Sequence, residues 1–129
     1  MTFNEKFEEL KEKYALRADF SKINYDLAAE ITLTDGDCGG TFYVARIKNK
    51  TDVQPYNYYD NTVSVKIKSS LLEELLEGKK DPVNEFLLGN VEAEGDASHA
   101  LALIDALKSK KRPRERSAGK QSARQSEGV

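Results

Sequence analysis

The chain is predicted to fold as one α+β domain, because its apolar residues follow a helical period in some segments and a strand period in others. At 129 residues it has room for one hydrophobic core of ordinary size. Between residues 61 and 107, an alternating strand, two short helices, another strand and a closing helix follow one another with almost no loop. Helices this short need a shared apolar space, so the functional question is whether a ligand or only side chains fill it.

A helix followed by a strand is predicted near the N-terminus. Thr2 and Glu5 have the spacing of a capping box, which marks the start of a helix that should end near Tyr14. The apolar residues of this helix recur every three or four positions: Phe3, Phe7, Leu10 and Tyr14. From Tyr25 to Thr34 the period changes to two, which predicts a strand with one buried and one mostly polar face.

The next two predicted strands are less regular. A glycine-rich hairpin turn over residues 35–40 leads into a strand over residues 41–48. A β-bulge near Ala45 would turn three of its apolar side chains inward: Phe42, Val44 and Ile47. Residues 53–59 are predicted to form an irregular third strand, in which Pro55 favours an edge position.

Helix boundaries in the second half of the chain are marked by capping residues. Ser70 and Glu73 have capping-box spacing, and Gly78 is a natural C-terminal stop for the same helix. Asp81, followed by proline, is a predicted N-cap for the next helix, and Asp96 is the predicted N-cap of the last one.

Composition limits where the chain is expected to work. The longest apolar run, Ala100–Ile104, is far shorter than the roughly 20 residues that span a bilayer. The residues after Met1 lack the apolar core of a cleaved signal peptide. A single cysteine, Cys38, excludes an internal disulfide and fits a reducing compartment. A cytoplasmic location is therefore expected.

Charge is distributed unevenly along the chain. Residues 108–129, here called the basic tail, contain eight basic and two acidic residues, which leaves 12 basic and 20 acidic residues in 1–107. The acidic globule is a poor candidate for specific nucleic-acid binding, which requires clustered Lys and Arg. The basic tail is expected to be disordered from Arg114 onward. It could make transient contact with an anionic membrane, with nucleic acid or with an acidic patch of a partner protein, or serve only as a solubilising extension.

No arrangement of residues predicts catalysis. Cys38 has no basic or histidine neighbour in sequence that would lower its pKa, and it is expected in an exposed turn. His99 is the sole histidine and has no partner at metal-ligand spacing. Asp35-Gly36-Asp37 lacks the remaining ligands of a calcium loop. The chain is therefore predicted to be neither an enzyme nor a cofactor-binding protein.

An ordered set of features between Asn61 and Leu107 resembles a known family. They are an alternating strand, a Leu-rich helix, a helix opened by Asp-Pro, a short strand, and an Ala/Leu helix preceded by Gly-Asp: 62–68, 70–78, 81–89, 91–94 and 95–107. Upstream, Thr41-Phe-Tyr-Val and Lys48-Asn49 match an aromatic strand and its following turn. This set resembles the sterol carrier protein type-2 domain, also called the nonspecific lipid-transfer family, over about residues 3–107.

The resemblance implies a single five-stranded, mostly antiparallel sheet covered on one face by helices around an apolar tunnel. It also implies non-catalytic binding, and transfer, of a fatty acid, an acyl-CoA or a sterol-like lipid, without a cofactor. The lipid-binding wall transferred to this chain consists of Phe42, Val44, Val65, Leu72, Leu75, Leu76, Phe86, Leu87, Leu101 and Ile104.

Two departures from the family and one alternative reading accompany this resemblance. Glu92 and Glu94 occupy a strand that is often basic in the family, which weakens the case for anionic headgroups. The last residues, 127–129, do not form a peroxisomal targeting signal. The alternative is an accessory or protein-interaction module of the same fold, with a filled core and no ligand.

Overall fold

The computed structural model describes residues 1–108 and has a five-stranded sheet in the order β3-β2-β1-β4-β5 with helices on one face. The elements in chain order are α1 (Phe3–Lys13), β1 (Leu27–Leu33), β2 (Gly40–Ile47), β3 (Lys50–Gln54), β4 (Val63–Ile67), α2 (Ser69–Leu76), α3 (Pro82–Leu87), β5 (Glu92–Gly95) and α4 (Ala97–Leu107). The α+β class and the mostly antiparallel five-stranded sheet predicted from the sequence are confirmed.

The central strand β1 determines the topology of the sheet. It pairs antiparallel with β2 and parallel with β4, which is the sheet's only parallel pair, while β2–β3 and β4–β5 are antiparallel. The β2–β3 hairpin turns at Lys48 and Asn49, both of which have positive φ. The connection from β3 to β4 passes behind the sheet, where the Tyr58 N–H donates to the Glu30 carboxylate at 2.9 Å. That connection leaves the opposite face of the sheet to the helices.

The core forms on the helix-covered face. The ring of Phe7 in α1 lies 5.5 Å from that of Phe42 in β2, so α1 covers the β1–β2 side of this face. Leu27 and Val63 in the sheet and Leu75 in α2 have no exposed surface. Helices α2, α3 and α4 share the cover over β4 and β5.

Polar contacts fix α1 against α2. Lys6 Nζ in α1 lies 2.9 Å from the Glu73 carboxylate, and the Tyr14 hydroxyl donates to Glu77 at 2.7 Å. The hydrogen bond from Tyr14 lowers the pKa of Glu77, while burial and the same bond raise the pKa of Tyr14. These pairs hold the two helices in one register over the sheet.

Three local predictions are corrected by the structure. Ala45 pairs with Ala28 in an unbroken ladder and is buried on the opposite face, so no bulge occurs there and Ile47 stays half-buried. The third strand is Lys50–Gln54 instead of 53–59, because a two-residue turn returns the chain at once and Pro55 ends the pairing. Cys38, placed by the sequence in a turn where its thiol could be exposed, is buried with its Sγ 3.7 Å from the Ser69 hydroxyl.

The start of α2 also differs from the prediction. Helix α2 begins at Ser69, and its N-cap residue Lys68 makes no side-chain capping bond, so the predicted capping box at Ser70 and Glu73 does not form. Asp35, in the turn between β1 and β2, caps the helix instead. Its two carboxylate oxygens accept from the Ser69 N–H at 2.8 Å and from the Ser69 hydroxyl at 3.0 Å.

The predicted boundary between a domain at 1–107 and the basic tail lies at the end of the residues that the structure describes. Lys108 is the last described residue, and the remainder of the tail, 109–129, lies outside the described residues. Within 1–108, no helix has the length and apolar character needed to cross a bilayer.

We expect Asp35→Ala to lower the free energy of unfolding by about 1–2 kcal/mol at neutral pH, because it removes the cap of α2 from a half-buried site. Partial burial opposes ionisation of Asp35, but the bonds from Ser69 outweigh it, so its pKa is lowered. The difference from wild type should be complete above the unfolded pKa of about 4 and shrink as pH falls through the lowered folded pKa.

Urea unfolding between neutral and acid pH measures this difference. Asp37→Ala in the same turn is the matched control, because the Asp37 side chain is mostly exposed and lies 4.0 Å from the N-terminal amine. Equal stability losses in the two variants would contradict the capping role of Asp35.

Candidate lipid-binding site

An apolar cavity of about 160 Å³ lies between the sheet and the three helices α2, α3 and α4. All fifteen residues that line it are apolar: Ile31, Val65, Ile67, Leu72, Leu75, Pro82, Val83, Phe86, Val91, Ala93, Ala97, Ala100, Leu101, Leu103 and Ile104. A dry cavity of similar size and lining in another protein takes up benzene, so this one offers room for a six-carbon segment.

One side of the cavity is a rigid wall. Val65 and Ile67 project from β4 toward the helices, and Leu72 and Leu75 of α2 pack down onto them. All four side chains are buried. Side chains packed in this way adapt little, so this wall fixes the shape of the inner end of the cavity.

Small side chains account for the empty space at the other side. Ala93 on β5 and Ala97 and Ala100 on α4 all line the cavity. Opposite these methyl groups the neighbouring helix contributes Val83 and Phe86, both of which are half exposed and do not fill the gap. The cavity therefore lies where the short strand β5 and the first turns of α4 meet.

Helix α3 forms the outer cover of the cavity. Asp81 caps it by accepting from the Val83 N–H at 3.0 Å, and Gly89, with φ of +82°, ends it. Glu85 is its only buried residue and accepts from the Asn90 amide at 2.9 Å. Polar contacts at the two ends, more than apolar packing, thus hold this short helix in place.

The structure brings six of the ten residues expected in the lipid-binding wall together around the apolar cavity. These are Val65, Leu72, Leu75, Phe86, Leu101 and Ile104. Phe42, Val44 and Leu76 instead line a separate space of about 20 Å³ beneath α1, which the side chains nearly fill. Leu87 lies at the exposed end of α3 and is not among the residues that line the apolar cavity.

Sequence reasoning missed several residues of the wall. Ile31 and Ile67 belong to the apolar faces of the strands predicted at 25–34 and 62–68, but they were not assigned to the site. The three alanines at 93, 97 and 100 were also missed, because a small residue in a sequence gives no sign of what stands opposite it. The available signal was the helical spacing of Ala100 with Leu103, Ile104 and Leu107, at i, i+3, i+4 and i+7.

A polar cavity adjoins the apolar one at the edge of β5. It has a volume of about 290 Å³ and shares Phe86, Val91 and Ala93 with the apolar cavity. Its polar residues are Ser64, Lys66, Glu92 and Glu94. With two carboxylates and one ammonium group, this rim is slightly acidic, as the two glutamates in the sequence indicated.

Titratable groups elsewhere serve structural contacts. Asp35, Asp37 and Cys38 each bring one potential metal ligand within 4.8 Å of the others, but both oxygens of Asp35 already accept bonds from Ser69. His99 Nδ1 lies 2.7 Å from the Thr62 hydroxyl, which also bonds the backbone of β1, so this contact ties α4 to the sheet.

No family model matches this sequence, and no curated protein matches it. Solved structures match its fold. A sec-alkylsulfatase from a Pseudomonas species superposes with a TM-score of 0.65 at 18% identity, over 80% of this chain but 16% of the sulfatase chain. Sterol carrier protein 2 from Yarrowia lipolytica gives 0.55 at 19% identity, over 80% and 90% of the two chains. A palmitated sterol carrier protein 2-like protein from Aedes aegypti gives 0.56 at 14% identity, over 83% and 95%.

These matches define the class of the fold. The chain is an α+β domain built as a helix-covered sheet with an apolar cavity beneath the helices. Its fold is that of sterol carrier protein 2, and it spans nearly the full length of the two carrier proteins and a small part of the sulfatase.

We expect the two sides of the cavity to differ in their contribution to stability. Leu75→Ala should lower the free energy of unfolding by about 2–5 kcal/mol, because Leu75 is fully buried in the rigid wall. Phe86→Ala should cost about 1 kcal/mol, since nearly half of the ring is already in water. Urea unfolding of both variants measures the contrast, and equal losses would mean that α3 belongs to the rigid core.

Proposed function

We propose that this protein is a non-catalytic binder of apolar lipids, holding a fatty acid, an acyl-CoA or a sterol-like molecule in the cavity between its sheet and α2–α4 and transferring it. The observation that carries the proposal is a cavity of about 160 Å³ lined by apolar residues alone. An empty apolar space costs stability, because its lining loses packing contacts that a filled core would have. A space kept open at that cost favours a ligand over the alternative of a module with a filled core.

The energetics determine how a lipid would be held. Six methylenes buried at about 0.8 kcal/mol each contribute roughly 5 kcal/mol, close to the lower limit of the association cost of 4–15 kcal/mol. A complete acyl chain therefore needs more room than the cavity provides. Helix α3 is the element that can yield, because its apolar residues are half exposed and its attachments are polar contacts at its ends.

The kind of ligand follows from the walls and from one structural neighbour. Apolar walls discriminate weakly between chains of similar shape, so broad specificity at micromolar affinity is expected. The carrier-like protein from Aedes aegypti with the same fold is palmitated. A palmitate-length fatty acid is accordingly the first ligand to test. The cytoplasmic location and the membrane or protein contact of the basic tail stay predictions.

Filling the cavity should abolish binding without unfolding the protein. We expect Ala100→Phe to weaken binding of a fluorescent palmitate analogue roughly tenfold or more, because the ring would occupy the space between α4 and Val65. Fluorescence titration, followed by displacement with unlabelled palmitate, measures the affinity. Mass spectrometry of gently extracted protein shows whether a lipid is already bound.

Ala102→Phe is the matched control, because Ala102 lies on the other side of α4 and lines a separate cavity with Asp19 and Lys22. This variant should bind the analogue as wild type does. Absence of any binding by wild type at micromolar concentrations, or equal binding by Ala100→Phe, would reject the proposed function.

A further inference from the structure

A group of tyrosines lies on the sheet face opposite the helices. Tyr43 of β2 points away from the core, and the ring of Tyr58 meets its ring edge-on with 4.8 Å between the centroids. Beside them in the connection from β3 to β4, Tyr56 is 64% exposed and Tyr59 is fully exposed. Tyrosine usually keeps its ring against apolar surface and leaves only the hydroxyl in water. Rings that stand in water are therefore available to stack on a partner.

Carboxylates surround these rings. Asp52 accepts from the Tyr43 hydroxyl at 2.6 Å, and this bond lowers the pKa of Asp52, which is thus charged at neutral pH. Asp60 directly follows Tyr59 and is also exposed. We call this the tyrosine surface, formed by Glu30, Tyr43, Asp52, Tyr56, Tyr59 and Asp60.

The described part of the chain offers these carboxylates no cationic partner. Among residues 1–108, Glu30, Asp52 and Asp60 have no Lys, Arg or His nitrogen within ion-pairing distance. Lys50 and Lys66, which β3 and β4 place on the same face, pair with none of them. The carboxylates between α1 and α2, by contrast, have lysine partners. A cationic segment is therefore the complement that the tyrosine surface lacks.

The chain itself supplies such a segment in its basic tail. Arg112, Arg114 and Arg116 alternate there with Pro113 and Glu115. Proline favours extended backbone in its own and the preceding residue, and an extended segment presents alternate side chains on one side. A guanidinium group can pair with a carboxylate and also stack on a tyrosine ring.

The tail begins within reach of the tyrosine surface. Leu107, at the end of α4, lines the small space beneath α1 together with Val53 of the edge strand β3. Asp52, the neighbour of Val53, points to the opposite face. Five residues of extended chain from Leu107 to Arg112 span up to roughly 17 Å, so the arginines can pass around the edge of β3. A tether this short gives an effective concentration on the order of millimolar, at which weak contacts suffice.

We propose that the basic tail docks onto the tyrosine surface of its own domain, with the arginines of 112–116 paired with Asp52 and Asp60 and stacked on Tyr56 and Tyr59. The docking needs no ligand in the apolar cavity and does not rest on the proposed function. Contact of the tail with an anionic membrane, nucleic acid or an acidic partner would compete with it.

Nuclear magnetic resonance of the full chain with a nitroxide in the tail tests the docking. The label is attached to Ala118→Cys, and Cys38→Ser removes the native thiol, whose place beside the Ser69 hydroxyl a serine can take. At low salt the nitroxide should broaden the amide signals of Asp52, Tyr56 and Tyr59. The broadening should disappear near 1 M salt, where the Debye length is only about 3 Å.

Charge-matched variants show whether the docking is specific. Asp52→Asn/Asp60→Asn should weaken it by up to about fivefold per carboxylate at low salt. Glu8→Gln/Glu12→Gln is the matched control, because it removes the same charge from exposed positions on α1 and should leave the broadening as in the unsubstituted chain. Equal broadening in both variants would reduce the docking to general attraction between the tail and an acidic domain, and would overturn it.

A neutral variant tests the stacking on the rings. Tyr56→Ser/Tyr59→Ser changes no charge and removes only exposed rings, so the fold should be retained. It should weaken the docking by about two- to fivefold per ring. Broadening that is unchanged in this variant would contradict the part of the proposal that concerns the tyrosines.

Two further outcomes would overturn the docking. One is the absence of broadening on the tyrosine surface at low salt. The other is broadening in a mixture of isotopically enriched chain without nitroxide and nitroxide-labelled chain without enrichment, because the contact would then join two copies of the protein.

Discussion

Three short helices have to cover one half of a sheet face, and the unequal way in which they do so shapes the site. Leu72 and Leu75 of α2 seal the cover over β4, and α4 closes the part near β1 with Leu103. Toward β5, both the strand and the first turns of α4 present alanines. The packing is therefore tight at one end and open at the other, and the apolar cavity lies at the open end.

Helix α3 closes this arrangement without contributing a core of its own. Apolar packing would hold it firmly but would also fill the cavity with its side chains. Its attachments instead use a cap at Asp81 and the contact between Glu85 and Asn90, which are local and leave Phe86 half in water. A cover that depends on a few local polar contacts can open at lower cost in free energy than α2, whose opening would expose Leu75 and the rest of the rigid wall.

The sequence was sufficient to predict those elements whose structure depends on local hydrophobic periodicity and helix caps. The first helix, the inward face of β1, and the Asp81 and Asp96 caps were all predicted, because neighbouring residues determine them. Asp35 was not predicted to cap α2, because it lies 34 positions away in sequence. Nor could the sequence show that Leu87 points outward, since a helix of four apolar residues and one glutamate is expected to bury the former.

The burial of Glu85 in α3, the exposure of Leu87 and the gap beneath this helix have the same origin. If Glu85 faced water, Leu87 would turn toward the sheet and fill part of the space between Ala93 and Ala100, and the outer surface would become polar. Burying a glutamate is unfavourable unless its oxygens are bonded, and Asn90 provides that bond at the turn leading to β5. The bond between Glu85 and Asn90 thus supports the orientation of α3 in which Phe86 is half exposed and Leu87 is mostly exposed.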